Sequence, residues 1–236
     1  MTRLAQMWAE NDFIRDQEGF DAAVERMQSK DKNHKIYYII GKSASGKDSI
    51  YKELLSQLWL KPILMSTTRP MRKGEVMDRE YHFTNLAEFL KMNSDNQVAE
   101  YRTYHIYDNG EYCGEWLYFT PCSELDTSES SRLGIGTLES YTYLLDNYAD
   151  KLIPIYIDVN DNDRFLRAVE REKRNDKPNY KELCRRYLAD LSDFSDIHLA
   201  TSNITNKFTN DNFDDCISDI KQFIFDCEHN SRLNIK

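Results

Sequence analysis

The stretch Ile36-Tyr37-Tyr38-Ile39-Ile40-Gly41-Lys42-Ser43-Ala44-Ser45-Gly46-Lys47-Asp48-Ser49 decides the fold. Five apolar residues in succession suit a strand buried on both faces, as in a parallel sheet. The small residues that follow let the backbone curl, so that successive N–H groups point inward. A helix then adds its unsatisfied amides and the positive end of its dipole. Ile50, Leu54, Leu55, Leu58 and Trp59 repeat at helical spacing, which predicts that helix over residues 47–59. The spacing is G-x-x-x-x-G-K, a phosphate loop, with Asp48 where Ser or Thr is usual. Gly41, Lys42, Ser43, Ala44, Ser45 and Gly46 form the curl, and Lys47 supplies a mobile charge for β- and γ-phosphates. Asp48 is a candidate Mg²⁺ ligand, directly or through water, and the Ser49 hydroxyl is the alternative. Asp48 equally suits a helix start, where negative charge meets the dipole.

Outward from this unit, a short strand is predicted at 63–66. Residues 80–120 are rich in Tyr, Thr and Trp, with Asn109-Gly110 between strand-like segments, which reads as an antiparallel insert with a hairpin turn. Further strands are predicted at 133–136, at 153–159 with Pro154 near its start, and at 199–206. Helical stripes run through Leu138, Tyr141 and Leu145, and through Phe165, Leu166 and Val169. Two more run through Tyr180, Leu183, Tyr187, Leu188 and Leu191, and through Phe213, Cys216, Ile217, Ile220 and Ile224. Strands alternating with helices predict an α/β fold, a parallel core sheet with helices on both faces. Before it, Leu4, Met7 and Trp8, then Phe20, Val24 and Met27, fit two short amphipathic helices that pack on the domain or form a dimer or partner surface.

The chain has 236 residues, enough for one large domain, or one with modest inserts. Its 31 basic and 40 acidic residues give a formal charge of −9, which argues against a nucleic-acid coat but not against a small phosphorylated ligand in a local basic pocket. No apolar run approaches the roughly 20 residues needed to span a bilayer. Glu10, Asp12, Asp16, Glu18 and Asp21 sit where a signal peptide would be apolar. The five cysteines are scattered and none form CxxC, so reduced thiols in a cytoplasmic protein are expected, without a zinc site.

A second motif starts at Thr67-Thr68-Arg69-Pro70-Met71-Arg72-Lys73-Gly74-Glu75-Val76 and ends at Tyr81-His82-Phe83. Arg69 and Arg72 can clamp a second phosphate in a planar, bidentate manner. Glu75 can hold an arginine in position and Tyr81 can donate a further hydrogen bond. A basic loop paired with surface acids is the plainer alternative.

Together the two motifs resemble the guanylate kinase family, whose pattern T-T-R-P-x-R-x-G-E-V-x-x-x-x-Y-x-F stands nearly complete from Thr67 to Phe83. The resemblance implies a three-layer phosphate-loop nucleoside-monophosphate kinase with a parallel core, a small antiparallel acceptor-binding insert and a helical lid. It covers about residues 35–226 and implies a core over 35–66 and 122–236, a lid at about 167–186 and an insert over 67–121, while residues 1–34 are read from their apolar spacing as a helical extension. Arg69, Arg72 and Tyr81 match the acceptor-phosphate positions, Glu75 the acid beside them, and Glu100 the acid that reads the guanine N–H edge. Three departures stand out. Met65 replaces a base-binding serine. The family's Tyr-Tyr-Gly-Thr segment becomes Tyr112-Cys113-Gly114-Glu115, losing a phosphate-binding tyrosine and a base-reading hydroxyl. The Asp-x-Asp strand end becomes Gly134-Ile135-Gly136-Thr137, with Glu139 the nearest carboxylate.

In family terms the lid brings arginines to the transferring phosphoryl, and Arg171, Arg174 and Arg186 are the candidates. A solvated basic helix face is the alternative, given Glu170, Glu172 and Glu182. Asn206 is the candidate adenine contact, with Asn203 and Asn210 as competitors. The expected activity is phosphoryl transfer from ATP, with Mg²⁺, to a nucleoside monophosphate, GMP first. The alternatives are another (deoxy)nucleotide acceptor, a catalytically weak binding module of the same fold, and a plain NTPase. A homodimer is possible; nucleic-acid and membrane partners are not expected.

Overall fold

A computed structural model describes residues 34–108 and 111–230. The two short helices expected before residue 34, and the Asn109-Gly110 turn, lie outside the described residues. The first strand, β1 (Ile36–Gly41), has all six residues buried. Its side chains alternate between two layers, as the period of a strand requires. Tyr37 and Ile39 pack with Ile50 and Leu54 of α1 (Lys47–Gln57) and with Cys216, Ile220 and Ile224 of the last helix. Ile36, Tyr38 and Ile40 pack on the other side with Leu138, Tyr141 and Leu144.

The remaining elements are β2 (Lys61–Pro62), β3 (Ser66–Thr67), β4 (His82–Phe83), α2 (Leu86–Ser94), β5 (Val98–Asp108), β6 (Glu111–Pro121) and β7 (Arg132–Ile135). They continue with α3 (Leu138–Tyr148), β8 (Leu152–Asp158), α4 (Asp161–Lys173), α5 (Tyr180–Asp193), α6 (Asp196–Thr201), β9 (Lys207–Thr209) and α7 (Phe213–Asn230). The core sheet runs β2-β7-β1-β8-β9 and every pairing in it is parallel. The insert forms a second sheet, β4-β3-β6-β5, dominated by the antiparallel pair of 11-residue strands β5 and β6.

Four expectations change. The first helix ends at Gln57, and Trp59 is exposed beyond it. The strand expected at 63–66 is split between the sheets: β2 and the Ile63 amide pair with β7, while β3 joins the insert. The segment expected as a strand at 199–206 holds the end of α6, and the last strand is β9. Leu199 and Ile204 still pack on the core, so the apolar signal was real but its period was helical. In α4, Phe165 and Leu166 are exposed, and the buried face is Arg164, Ala168 and Glu172. Polar anchoring beneath the loop, rather than an apolar stripe, sets that face. Pro154 is tolerated inside β8 because β9 pairs only from Tyr156 onward.

Where the family pattern has carboxylates, the end of β7 has Gly134 and Gly136, because the Tyr38 ring fills that space. A Cβ on Gly136 would lie 2.3 Å from the Tyr38 hydroxyl and 2.6 Å from Ser140 Oγ, and one on Gly134 would lie 2.6 Å from the Tyr38 ring. Tyr38 OH and Ser140 Oγ share a 3.0 Å hydrogen bond, and burial pushes the phenol up to about 12. Gly136→Ala is expected to destabilise the protein by about 1–3 kcal/mol through overpacking. Adding Tyr38→Phe should recover part of that loss in urea unfolding, and full additivity of the two changes would contradict the steric account.

Candidate functional site

The loop between β1 and α1 curls through two left-handed residues, Ala44 at φ 63° and Gly46 at φ 91°. Gly46 is required twice over, since a Cβ there would also meet the Asn210 amide nitrogen at 2.4 Å. The amides of Ala44, Gly46, Lys47 and Asp48 have no protein acceptor among the described residues. Four inward donors at a helix N-terminus make a nest for an anion. Lys47 Nζ reaches the Lys42 carbonyl at 3.4 Å, and burial lowers its pKa below the usual lysine value. Asp48 and Ser49 stand exposed in the first turn, with free side-chain oxygens of the kind Mg²⁺ takes. Lys42 turns away from the nest to Asp161, at 3.2 Å.

Three residues hold this loop; of them sequence reasoning singled out only Asn210, and for a different role. Arg164, 1% exposed, donates to Asp161, to Asp190 at 2.8 Å and to the Ser43 carbonyl, with Tyr187 under its guanidinium at 4.2 Å. Asp190 also accepts from the Ser43 amide at 2.8 Å. Asn210 donates to the Ser45 carbonyl at 2.8 Å. Of the asparagines weighed for adenine, Asn210 therefore anchors the loop, while Asn206 donates to the Pro154 carbonyl at 3.3 Å.

The lid arginines divide. Arg171 and Arg186 line one small recess with Ser43, Arg164 and Tyr187, between α4, α5 and the loop. Arg174 lies apart, exposed and 3.7 Å from Glu170. Arg186 is 3.2 Å from Glu182.

In the insert, Arg69 is buried and held on nearly every side. Its Nη1 and Nη2 donate to both Glu75 oxygens at 3.0 and 2.8 Å, and its Nε donates to the Tyr118 hydroxyl at 2.9 Å. The Tyr81 and Phe83 rings lie 5.7 and 5.5 Å from the guanidinium. Glu75 also accepts from the Arg72 amide at 2.6 Å, while the Arg72 side chain is exposed and free of protein partners among the described residues. The Arg69 hydrogen bonds hold the Glu75 carboxyl below the usual glutamate value.

The structure corrects the expected loss of a tyrosine and a hydroxyl. Tyr112 and Glu115 pair with Tyr107 and His105, toward the hairpin end of the long ribbon. The tyrosine beside Arg69 is Tyr118, and the hydroxyl beside Glu100 is that of Thr120, which donates to Glu100 Oε1 at 2.6 Å. A tyrosine and a hydroxyl thus stand beside Arg69 and Glu100, six and five residues later than Tyr112 and Glu115. The signal was available in Leu117-Tyr118-Phe119-Thr120-Pro121, once the hairpin is allowed to lengthen on both strands. Met65 does lack a hydroxyl, but the Arg102 guanidinium reaches its thioether at 3.5 Å. Glu139 stands exposed on the cleft wall, not bound to the loop.

One open cleft of about 800 Å³ joins the two halves. Gly41, Ser43 and Lys47 line it on the loop side, and Tyr104, Thr137 and Glu139 on the other. The Tyr104 ring packs edge-on against Tyr118 at 5.2 Å, which in turn holds Arg69. The loop thus lines one side of the cleft, and Tyr104 links the other side to the Tyr118–Arg69–Glu75 cluster behind it.

A parallel phosphate-loop core with an antiparallel insert across such a cleft has the fold class of the nucleoside-monophosphate kinases. The crystal structure of guanylate kinase from Anaplasma phagocytophilum superposes with a TM-score of 0.51 at 18% identity, covering 86% of this chain and 89% of that one. Residues 33–115 match the family model described as guanylate kinase. The guanylate kinase of Zymomonas mobilis is 36% identical over 75 residues, and that of Sulfurimonas denitrificans is 39% identical over 77. Each match takes in 31% of this chain, and it covers 34% and 37% of the two relatives, so the chain spans about a third of their length by sequence. The matched segment, residues 33–115, carries both the phosphate loop and the arginine clamp.

Because the Glu75 pKa is lowered on folding, its pairing stabilises the protein above the ordinary glutamate value of 4.5 and is lost as pH falls through the lower folded-state value. Glu75→Gln should therefore lower Tm at neutral pH, and the gap to the native protein should close on acidification below 4.5. A gap of constant size across pH 3–7 would contradict this.

Proposed function

We propose that the protein transfers the terminal phosphoryl group of ATP to a nucleoside monophosphate, with GMP as the acceptor. The observation that carries this reading is the single cleft with Lys47 and the loop amides on one wall and the Arg69–Glu75–Tyr118 clamp behind the other. In this reading the amides of the nest and Lys47 hold the donor phosphates. Arg72, exposed beside the clamp, and Tyr81 meet the acceptor phosphate, and the buried Arg69 fixes the loop that presents them. Arg171 and Arg186 sit where closure of α4 and α5 would bring them to the transferring group; Arg174 needs a larger movement. The acceptor is already an anion, so no general base is needed and catalysis is positioning plus charge stabilisation. Closure must also exclude water, or ATP would be hydrolysed.

Among the described residues no three His, Cys, Asp or Glu side chains cluster as a metal cage. Mg²⁺ bound through substrate phosphates needs only one or two protein oxygens, and Ser49 and Asp48 offer them. When bound, that ion would neutralise charge on the donor phosphates. Among the described residues no helix is long and apolar enough to cross a membrane.

An ADP-release assay with ATP, Mg²⁺ and a panel of monophosphates tests the reading. GMP should be the best acceptor, and Lys47→Met should lower kcat by about a hundredfold or more. ADP release that ignores the acceptor would favour an NTPase and contradict the reading. Tyr118→Phe should reduce kcat/KM for GMP by about tenfold, through a loosened Arg69, whereas Tyr112→Phe should leave it unchanged. Equal effects of the two changes would undo the assignment of Tyr118.

A further inference from the structure

Glu100 and Arg102 lie two residues apart on one face of β5, and both are buried, with side chains 0% and 6% exposed. Glu100 Oε2 and Arg102 Nε are 3.3 Å apart, yet neither has a hydrogen-bond partner. The two charges compensate each other as a buried ion pair, but a polar atom of each keeps hydrogen-bonding capacity that a polar ligand can complete. Burial raises the Glu100 pKa against the pull of Arg102 and Thr120. The pair lines a cavity of about 490 Å³ that shares Glu139 and Tyr143 with the main cleft. Arg102 Nη1 donates to Thr137 at 3.1 Å and Nη2 meets the Met65 thioether, a weak acceptor. A guanidinium has five N–H donors, so at least two remain for a ligand.

We propose that Arg102 is a specificity-determining residue that reads the O6/N7 edge of a guanine base, beside the Glu100 carboxylate that the family resemblance already sets against the N1–H and N2–H edge. The inference rests on the reading above that the cleft takes a nucleoside monophosphate, and it names the base by its chemistry. A carboxylate offers two acceptors side by side, and a guanidinium two donors. Guanine presents the complement in one continuous run: two donors, N2–H and N1–H, then two acceptors, O6 and N7. Arginine on O6 and N7 is the commonest specific contact to that edge. Adenine places an N6 amino donor against the guanidinium, and pyrimidines have no N7. Thr137 and Met65 each take one hydrogen of the two terminal nitrogens, which restrains the guanidinium and leaves one hydrogen on each.

The test is calorimetric binding of GMP, 7-deaza-GMP and AMP to the native protein and to Arg102→Lys. Lysine keeps the positive charge beside Glu100 but lacks the two-pronged donor. The native protein should bind 7-deaza-GMP about tenfold more weakly than GMP, and AMP more weakly still. In Arg102→Lys the gap between GMP and 7-deaza-GMP should shrink to about twofold or less. Equal native affinities for these two ligands, an undiminished gap in the variant, or no GMP binding by the native protein would each overturn the proposal. Parallel turnover measurements separate it from the kinase reading. An Arg102-dependent gap without phosphoryl transfer supports Arg102 and overturns the kinase. Transfer to GMP with an unchanged gap in the variant does the reverse.

Discussion

A loop that is to bind an anion must keep its amides unspent, so it has to be fastened through its other atoms. Here the fastening is through carbonyls and through the Ser43 amide, which Asp190 accepts. Arg164 takes that of Ser43, Asn210 takes that of Ser45, and the Ser45 amide and Lys47 Nζ meet that of Lys42. The curl is thereby fixed while Ala44, Gly46, Lys47 and Asp48 keep their N–H groups available. The same anchors set the larger geometry. Arg164 comes from α4, its partner Asp190 from α5, and Asn210 follows β9. The helices that carry Arg171 and Arg186 are therefore indexed to the loop by one buried guanidinium. Removing either partner would leave a desolvated charge, which is why this polar cluster holds the arrangement so firmly.

The acceptor side repeats the device with the roles exchanged. Arg69 is buried and makes four hydrogen bonds, to Glu75, Tyr118 and the Pro70 carbonyl, so its guanidinium acts as an internal strut. Arg72, three residues on, keeps its side chain exposed. Of two arginines that look equivalent in sequence, one builds the loop and the other remains available for a phosphate. Glu75 serves both, through the guanidinium of the first and the amide of the second.

What could be read in the sequence was what is local. The buried strand, the curl and the amphipathic start of α1 follow from consecutive residues, and the structure has them where the pattern puts them. The arginine clamp was legible for the same reason, as Arg69, Arg72 and Glu75 lie within one turn of chain. The tyrosine and hydroxyl were misplaced because a hairpin can lengthen equally on both strands without disturbing its pairing. Register, not distance along the chain, decides which residue faces Arg69. The segment near Leu199 was misread because a short apolar run suits a strand or a helix until its period is resolved. Arg102 drew no notice in the sequence, because only coordinates show a charge inside the wall of a Tyr- and Thr-rich ribbon.

The central claim is that both anion sites open onto one cleft at a separation that a phosphoryl group can cross. The most direct measurement is calorimetric titration with a dinucleoside pentaphosphate joining adenosine to guanosine, compared with ATP and GMP separately. If the sites face each other, the linked ligand binds one to one and about a hundredfold or more tighter than either nucleotide, since the second contact becomes intramolecular. Binding no tighter than that of ATP alone would mean that the two sites do not share a cleft, and would contradict the account.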